Sequence, residues 1–160
     1  MSSGSLPQCR PSLHISGDQL SVVRRHAEVD YPEECCGVLV GVRHDGVTRV
    51  TAVVETPNRS RARTGKRYEI SPRDLLGAML DARARGEDVV GYYHSHPDGR
   101  ARPSDVDRGE AWRGVSYLIV AVREGTAGEI RSWRFAERSV DEEAIVSVGP
   151  EHTGCGETER

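Results

Sequence analysis

Two β-branched runs, GVLVGV (37–42) and VTRVTAVVE (47–55), are separated by His44-Asp45-Gly46. Asp-Gly between apolar runs is a strong hairpin signal. Strands joined that tightly are antiparallel, which excludes a doubly wound, all-parallel sheet. Elsewhere hairpins mix with crossovers. LHIS (13–16) alternates as a short strand. A helix follows from Gly17-Asp18 to about Asp30, with Leu20, Val23 and Ala27 on one face and Pro32 ending it. SPRD (71–74) starts a second helix: Ser71 caps, Pro72 takes the first position and Asp74 the third. Its apolar face is expected from Leu75, Leu76, Met79 and Leu80, and Gly86 stops it. DVVGYYHSH (88–96) reads as a strand and 104–112 as a short helix. VSYLIVAV and GEIRSWRF pair across a turn at Gly125–Gly128, and AIVSV (144–148) closes the series. The fold class is a mixed α/β or α+β layer structure.

The chain has 160 residues, enough for one domain with a modest core. The expected organisation is a disordered tail over 1–11, a single domain over 12–148 and a disordered tail over 149–160. With one Phe and two Trp, the core must be built mainly from Val, Leu, Ile and Ala. The net charge of −3 shows no basic stripe, so no nucleic-acid partner is expected. No apolar run is long enough to span a membrane, and the first residues carry no secretory signal. Cys35 and Cys36 are adjacent, and Cys9 and Cys155 lie in the tails. That is no disulfide framework, and a cytoplasmic setting is expected. The polar loop TPNRSRARTGKR (56–67) is too rich in Arg to be core. It is either a solvated face or a docking surface for an acidic protein.

HSHPDGRARPSDVD (94–107) carries the chemistry. Residues two apart on a strand share a face, so His94 and His96 project together. Pro97 ends the strand, and Asp107, one turn into the next helix, can point back towards them. Two histidines and one carboxylate leave a fourth position open, the pattern of a catalytic zinc. The residues also admit a plainer reading. Ser104 and Asp107 have the spacing of a helix capping box, and the histidines could belong to a turn. Spacing excludes other zinc hydrolases: HxHxDH, HxE with PCxxC, and HExxH are all absent.

The segment resembles the signature of the JAMM/MPN+ metalloproteases, H-[ST]-H-P, six residues, then S-x-x-D, with every fixed position matched. PEECCGVLVG (32–41) is similar to the family's upstream glutamate before a Cys-Gly and a buried strand. The resemblance spans about residues 12–136. It implies a central mixed sheet flanked by helices, similar to cytidine deaminases, with His94, His96 and Asp107 holding one Zn2+. It further implies Glu34 as general base then acid, with Glu33 its rival, and Ser104 as donor to the oxyanion. The implied reaction is hydrolysis of an amide or isopeptide bond by zinc-activated water. The compact chain is similar to family members that act after the Gly-Gly tail of a ubiquitin-like sulfur-carrier protein. A homodimer is left open. The alternatives are a catalytically silent interaction scaffold and a small-molecule amide hydrolase.

Overall fold

The computed structural model describes residues 10–60 and 67–149. The expected terminal tails therefore lie largely outside the described residues, as do Arg61, Arg63 and Lys66 of the Arg-rich loop. Ten elements follow in order: β1 (Ser12–Ser16), α1 (Gly17–Asp30), β2 (Cys36–His44), β3 (Val47–Thr56), α2 (Pro72–Ala84), β4 (Asp88–Pro97), α3 (Asp105–Glu110), β5 (Ser116–Arg123), β6 (Thr126–Phe135) and β7 (Val140–Val148).

The β2–β3 hairpin forms as expected, with Asp45 and Gly46 both at positive φ. β4 joins the other side of β2 antiparallel, and β5 runs parallel to β4 through a crossover that contains α3. The sheet is mixed, as the sequence implied. It also closes: β1 lies between β3 and β7, parallel to both, so the seven strands form a barrel in the order β1-β3-β2-β4-β5-β6-β7. Closure is partial: β1 pairs with β3 only at Val47, Thr48 and Arg49, and β7 pairs with β6 only from Ser132 to Phe135.

One face of the sheet packs against α1 through Leu13, Leu39, Tyr93, Leu118 and Val120. The other packs against α2 through Val38, Val40, Tyr92 and Ile119. Ser16 and Gln19 cap α1 reciprocally, and Ser71 caps α2 with Pro72 at its first position. The expected apolar face of α2 needs correction. Leu76 and Leu80 are more than half exposed, while Ala78 and Ala82 are buried with Leu75 packed beside them. Positions 75, 78 and 82 share a stripe at helical spacing. Two alanines on that stripe let α2 approach the bulky side chains of β2 and β4. The β5–β6 turn is also tighter than expected, with its positive-φ residues at Glu124 and Gly125. Among the described residues no helix is long and apolar enough to cross a membrane.

Candidate metal centre

His94 and His96 leave the same face of β4 near its end, with ring centroids 4.9 Å apart. Ser95, between them, points the other way and binds the backbone of Cys35. Beyond Pro97 the chain is held at two points. Asp98, at φ 52°, accepts from Tyr31 Oη at 2.9 Å and from Glu124 N–H at 3.1 Å. Ala101 is fully buried, and its carbonyl accepts from Trp133 Nε1 at 3.0 Å. This anchored loop delivers Ser104 to the start of α3.

Ser104 and Asp107 form the capping box: Ser104 Oγ accepts from Asp107 N–H, and Asp107 Oδ2 accepts from Ser104 N–H. The plain reading and the metal reading prove compatible. Asp107 also faces the histidines, with Oδ1 3.1 Å from His94 Nε2 and Oδ2 3.2 Å from His96 Nε2. The two Nε2 atoms are 3.0 Å apart.

These contacts of 3.0–3.2 Å, between the two imidazole nitrogens and from each to a separate oxygen of one carboxylate, test whether a metal fits. Ligand bonds of about 2.0–2.1 Å at tetrahedral angles separate donors by about 3.3 Å. The two imidazole nitrogens, and each of them with its own carboxylate oxygen, are therefore spaced close to an edge of a zinc tetrahedron. The tautomer of His96 fits as well. A carbonyl can only accept, so the contact of 2.8 Å with Arg100 O makes Nδ1 the donor. In the neutral ring the Nε2 lone pair is then left for a metal. His94 is held differently: Tyr68 stacks on it at 4.4 Å, and its buried Nδ1 has no partner among the described groups.

Electrostatics follow from burial and these contacts. Burial pushes the fully buried His94 towards its neutral form. Burial also opposes charge on His96, but the hydrogen bonds to Asp107 and Arg100 O and the charge of Asp107 outweigh it and raise its pKa. Asp107 loses hydration too, yet both histidines and Ser104 N–H hold its carboxyl well below the usual range.

Glu34 is 6% exposed, not a solvated carboxylate at a helix end. It lines a cavity with Tyr68, Val106 and Asp107 whose volume, about 20 Å³, holds roughly one water molecule. Burial raises its pKa to about 7, with His96 lowering and Asp107 raising it. Glu33 is half-buried beside it and does not line that cavity. Cys35 and Cys36 are buried free thiols, pushed by burial up to about 12 and 11. They behave as small hydrophobes.

Ser104 departs from expectation in one respect. Its hydroxyl proton is directed at Asp107 Oδ2, 2.7 Å away, and not towards open solvent. Two of the next three residues gave no sequence signal, and Ser95 entered only as a position of the signature. Tyr68 stacks on His94, Ser95 grips Cys35, and Asn58 is buried with its amide on the carbonyl of Glu34. Asn58 falls within the polar loop 56–67. Beside the centre lies a second pocket of about 200 Å³, lined by Tyr68, Ile70, Leu75, Tyr92, Trp112 and Tyr117. Of the loop's cations, Arg59 pairs with Asp74 at 3.8 Å and Arg67 with Glu110.

Barrel, helices and a His-His-Asp group able to hold a metal define a hydrolase of the JAB type. Residues 17–136 match the prokaryotic homologs of the JAB domain, and the chain belongs to that family. It is a peptidase by that membership and its relatives. It is similar to a desampylase of Haloferax volcanii, 37% identical over 62% of this chain and 70% of that one. It is also similar to a CysO-cysteine peptidase of Mycobacterium tuberculosis, 33% identical over 85% of this chain and 91% of that one. Among solved structures it matches protein DSY2949 of Desulfitobacterium hafniense with a TM-score of 0.76 at 30% identity, over 85% and 92% of the two chains. A Salinibacter ruber protein matches with a TM-score of 0.66 at 40% identity, over 88% and 93%.

Proposed function

We propose that this chain is a zinc peptidase or isopeptidase of the cytoplasm that cleaves the amide bond after the C-terminal Gly-Gly of a ubiquitin-like sulfur carrier. The observation that carries the reading is the buried Glu34 carboxyl in a one-water cavity beside the His94–His96–Asp107 triangle. The relatives named desampylase and CysO-cysteine peptidase support peptidase chemistry.

His94, His96 and Asp107 would hold the zinc. When bound, zinc supplies Lewis acidity that makes water a nucleophile near neutral pH. Glu34 takes the proton that the attacking water loses and delivers it to the departing amine nitrogen. A carboxyl that ionises near pH 7 is matched to both transfers. Burial keeps competing water away from it. Ser104 first orients Asp107, and its hydroxyl serves a reacting carbonyl only by exchanging that bond. In the segment 67–70, Tyr68 and Ile70 are half-buried, and Arg67 and Glu69 are exposed. A Gly-Gly tail laid beside it would bring a small-residue backbone to the centre.

The test is mass spectrometry of a Gly-Gly carrier extended by an amino acid or joined to a lysine side chain. Release of the amine, abolished in Glu34→Gln and by chelation, supports the proposal. An intact carrier would leave an interaction scaffold, and turnover of small amides alone would make the chain an amidase of another class.

A further inference from the structure

Asn58 is 4% exposed and uses all its hydrogen-bonding capacity on backbone. Its Nδ2 donates to Glu34 O at 2.9 Å and to Arg67 O at 3.0 Å. Its Oδ1 accepts from Ser60 N–H at 2.9 Å and from Glu69 N–H at 3.0 Å. One side chain therefore ties three stretches together: the backbone of Glu34, the segment that enters the Arg-rich loop and the segment that leaves it. Arg59 N–H closes the neck of that loop on Glu69 O at 2.9 Å.

An amide has two donor hydrogens and two acceptor lone pairs, and no other neutral side chain of this size offers both. Buried polar groups that are fully satisfied fix a single geometry, because each unmade bond leaves a costly orphan. Glu34 sits between α1 and β2, outside either element, so its position depends on such ties. Ser95 holds the residue after it, Cys35, from the β4 side. Asn58 holds Glu34 itself from the loop side. Tyr68 lies between Arg67 and Glu69, so the same side chain also sets the ring that stacks on His94.

We infer that Asn58 is a positioning residue for the hydrolytic reaction. It locks the backbone of the general base to the segment 67–69 against which substrate is laid. The inference rests on the proposed role of Glu34. Asn58 contacts none of the metal-ligating side chains among its hydrogen bonds, so zinc content should not depend on it.

Asn58→Asp keeps the acceptor that holds Ser60 and Glu69 and removes the donor that holds Glu34 and Arg67. It is assayed on a carrier conjugate, at a temperature where circular dichroism shows it folded. The expected result is one zinc per chain, kcat lowered about tenfold or more, and KM changed no more than about threefold. A cycle with Glu34→Gln separates positioning from general weakening. If Asn58 acts through Glu34, adding Asn58→Asp to Glu34→Gln costs little further. Losses that multiply in full, or an unchanged kcat, overturn the inference. Should Asn58→Asp not fold, Ser60→Pro removes one N–H from Oδ1 at the loop side and should lower kcat two- to fivefold. No loss in that variant would overturn the inference as well. If Glu34→Gln alone leaves kcat intact, it is the role of Glu34 that fails.

Discussion

Ser95 and Cys35 are bonded to each other twice: Ser95 Oγ accepts from Cys35 N–H at 2.9 Å, and Ser95 N–H donates to Cys35 O at 3.2 Å. The residue between the two histidines thus holds the segment that carries Glu34. Both groups are buried, so Ser95→Ala leaves the Cys35 N–H without its partner. Stability should fall by about 1–3 kcal/mol, with the melting temperature lower by about 2–4 °C for each kcal/mol. Thermal unfolding of the zinc-loaded protein checks this. A change within experimental error would mean that the backbone pairing alone holds the segment.

The three proposed ligands should not respond alike to removal. His96→Ala and Asp107→Ala should each abolish zinc binding and leave the circular dichroism spectrum unchanged. His94→Ala should lose both zinc and stability, because His94 is wholly buried and stacked on Tyr68. Truncating a buried side chain of this size costs about 2–5 kcal/mol. Elemental analysis beside urea unfolding distinguishes the cases. Equal stability of all three variants would count against the packing role of His94.

Zinc must compete with protons at His96, whose pKa lies above its ordinary value. Metal ligation needs the neutral ring, so binding releases a proton whenever His96 is charged. Affinity should be flat at alkaline pH and fall up to about tenfold per pH unit once pH drops below the raised pKa. A competition titration with a chromophoric chelator from pH 5.5 to 8.5 measures it. A flat profile would place another group in the ligand set.

Glu34 makes the metal-free protein sensitive to pH in the opposite sense. Its carboxyl is raised from 4.5 to about 7 by burial. Such a group costs nothing below pH 4.5, where both folded and unfolded forms are protonated. As pH rises, the unfolded form ionises first, and the folded state is penalised until pH passes about 7. The full penalty is about 3 kcal/mol. Urea unfolding of chelator-treated protein should show it between pH 4.5 and 7.5, and Glu34→Gln should flatten that part of the profile. An unchanged slope in Glu34→Gln would assign the effect to another carboxyl.

Elements whose cause is local were legible in the sequence. The Asp45-Gly46 turn, the Ser71 cap and the shared face of His94 and His96 each depend on residues within a few positions. The family signature added the link from Asp107 back to the histidines. Barrel closure was not legible, because β1 pairs with β7 across more than 130 positions and nothing local records it. The α2 face was misread because Leu76 and Leu80 outweigh Ala78 and Ala82 in hydrophobicity, whereas the sheet beneath needed small residues. Asn58 and Tyr68 carry no sequence signal because their partners lie 24 and 26 residues away by side-chain contacts that leave no periodic trace, and Ser95 stands in the signature without any sign of its partner 60 residues away.

Tyr68 has two neighbourhoods: it stacks on His94 and also lines the pocket formed with Ile70, Leu75, Tyr92, Trp112 and Tyr117. The pocket therefore begins one ring from the proposed ligands. An extended tail advances about 3.3–3.6 Å per residue, so a side chain entering the pocket belongs within a few residues of the cut. Its walls are largely aromatic and aliphatic, and Trp112 is 62% exposed, free to be covered by substrate. A carrier with a bulky apolar residue two to four positions before Gly-Gly should be cleaved faster than one with Asp there. Pockets of this kind discriminate by about 1–3 kcal/mol, or roughly 10–200-fold in kcat/KM. Trp112→Ala should erase most of that ratio by slowing the apolar substrate while zinc content and small-amide turnover stay unchanged. If both carriers lose rate equally in Trp112→Ala, the ring supports α3 and does not select the tail.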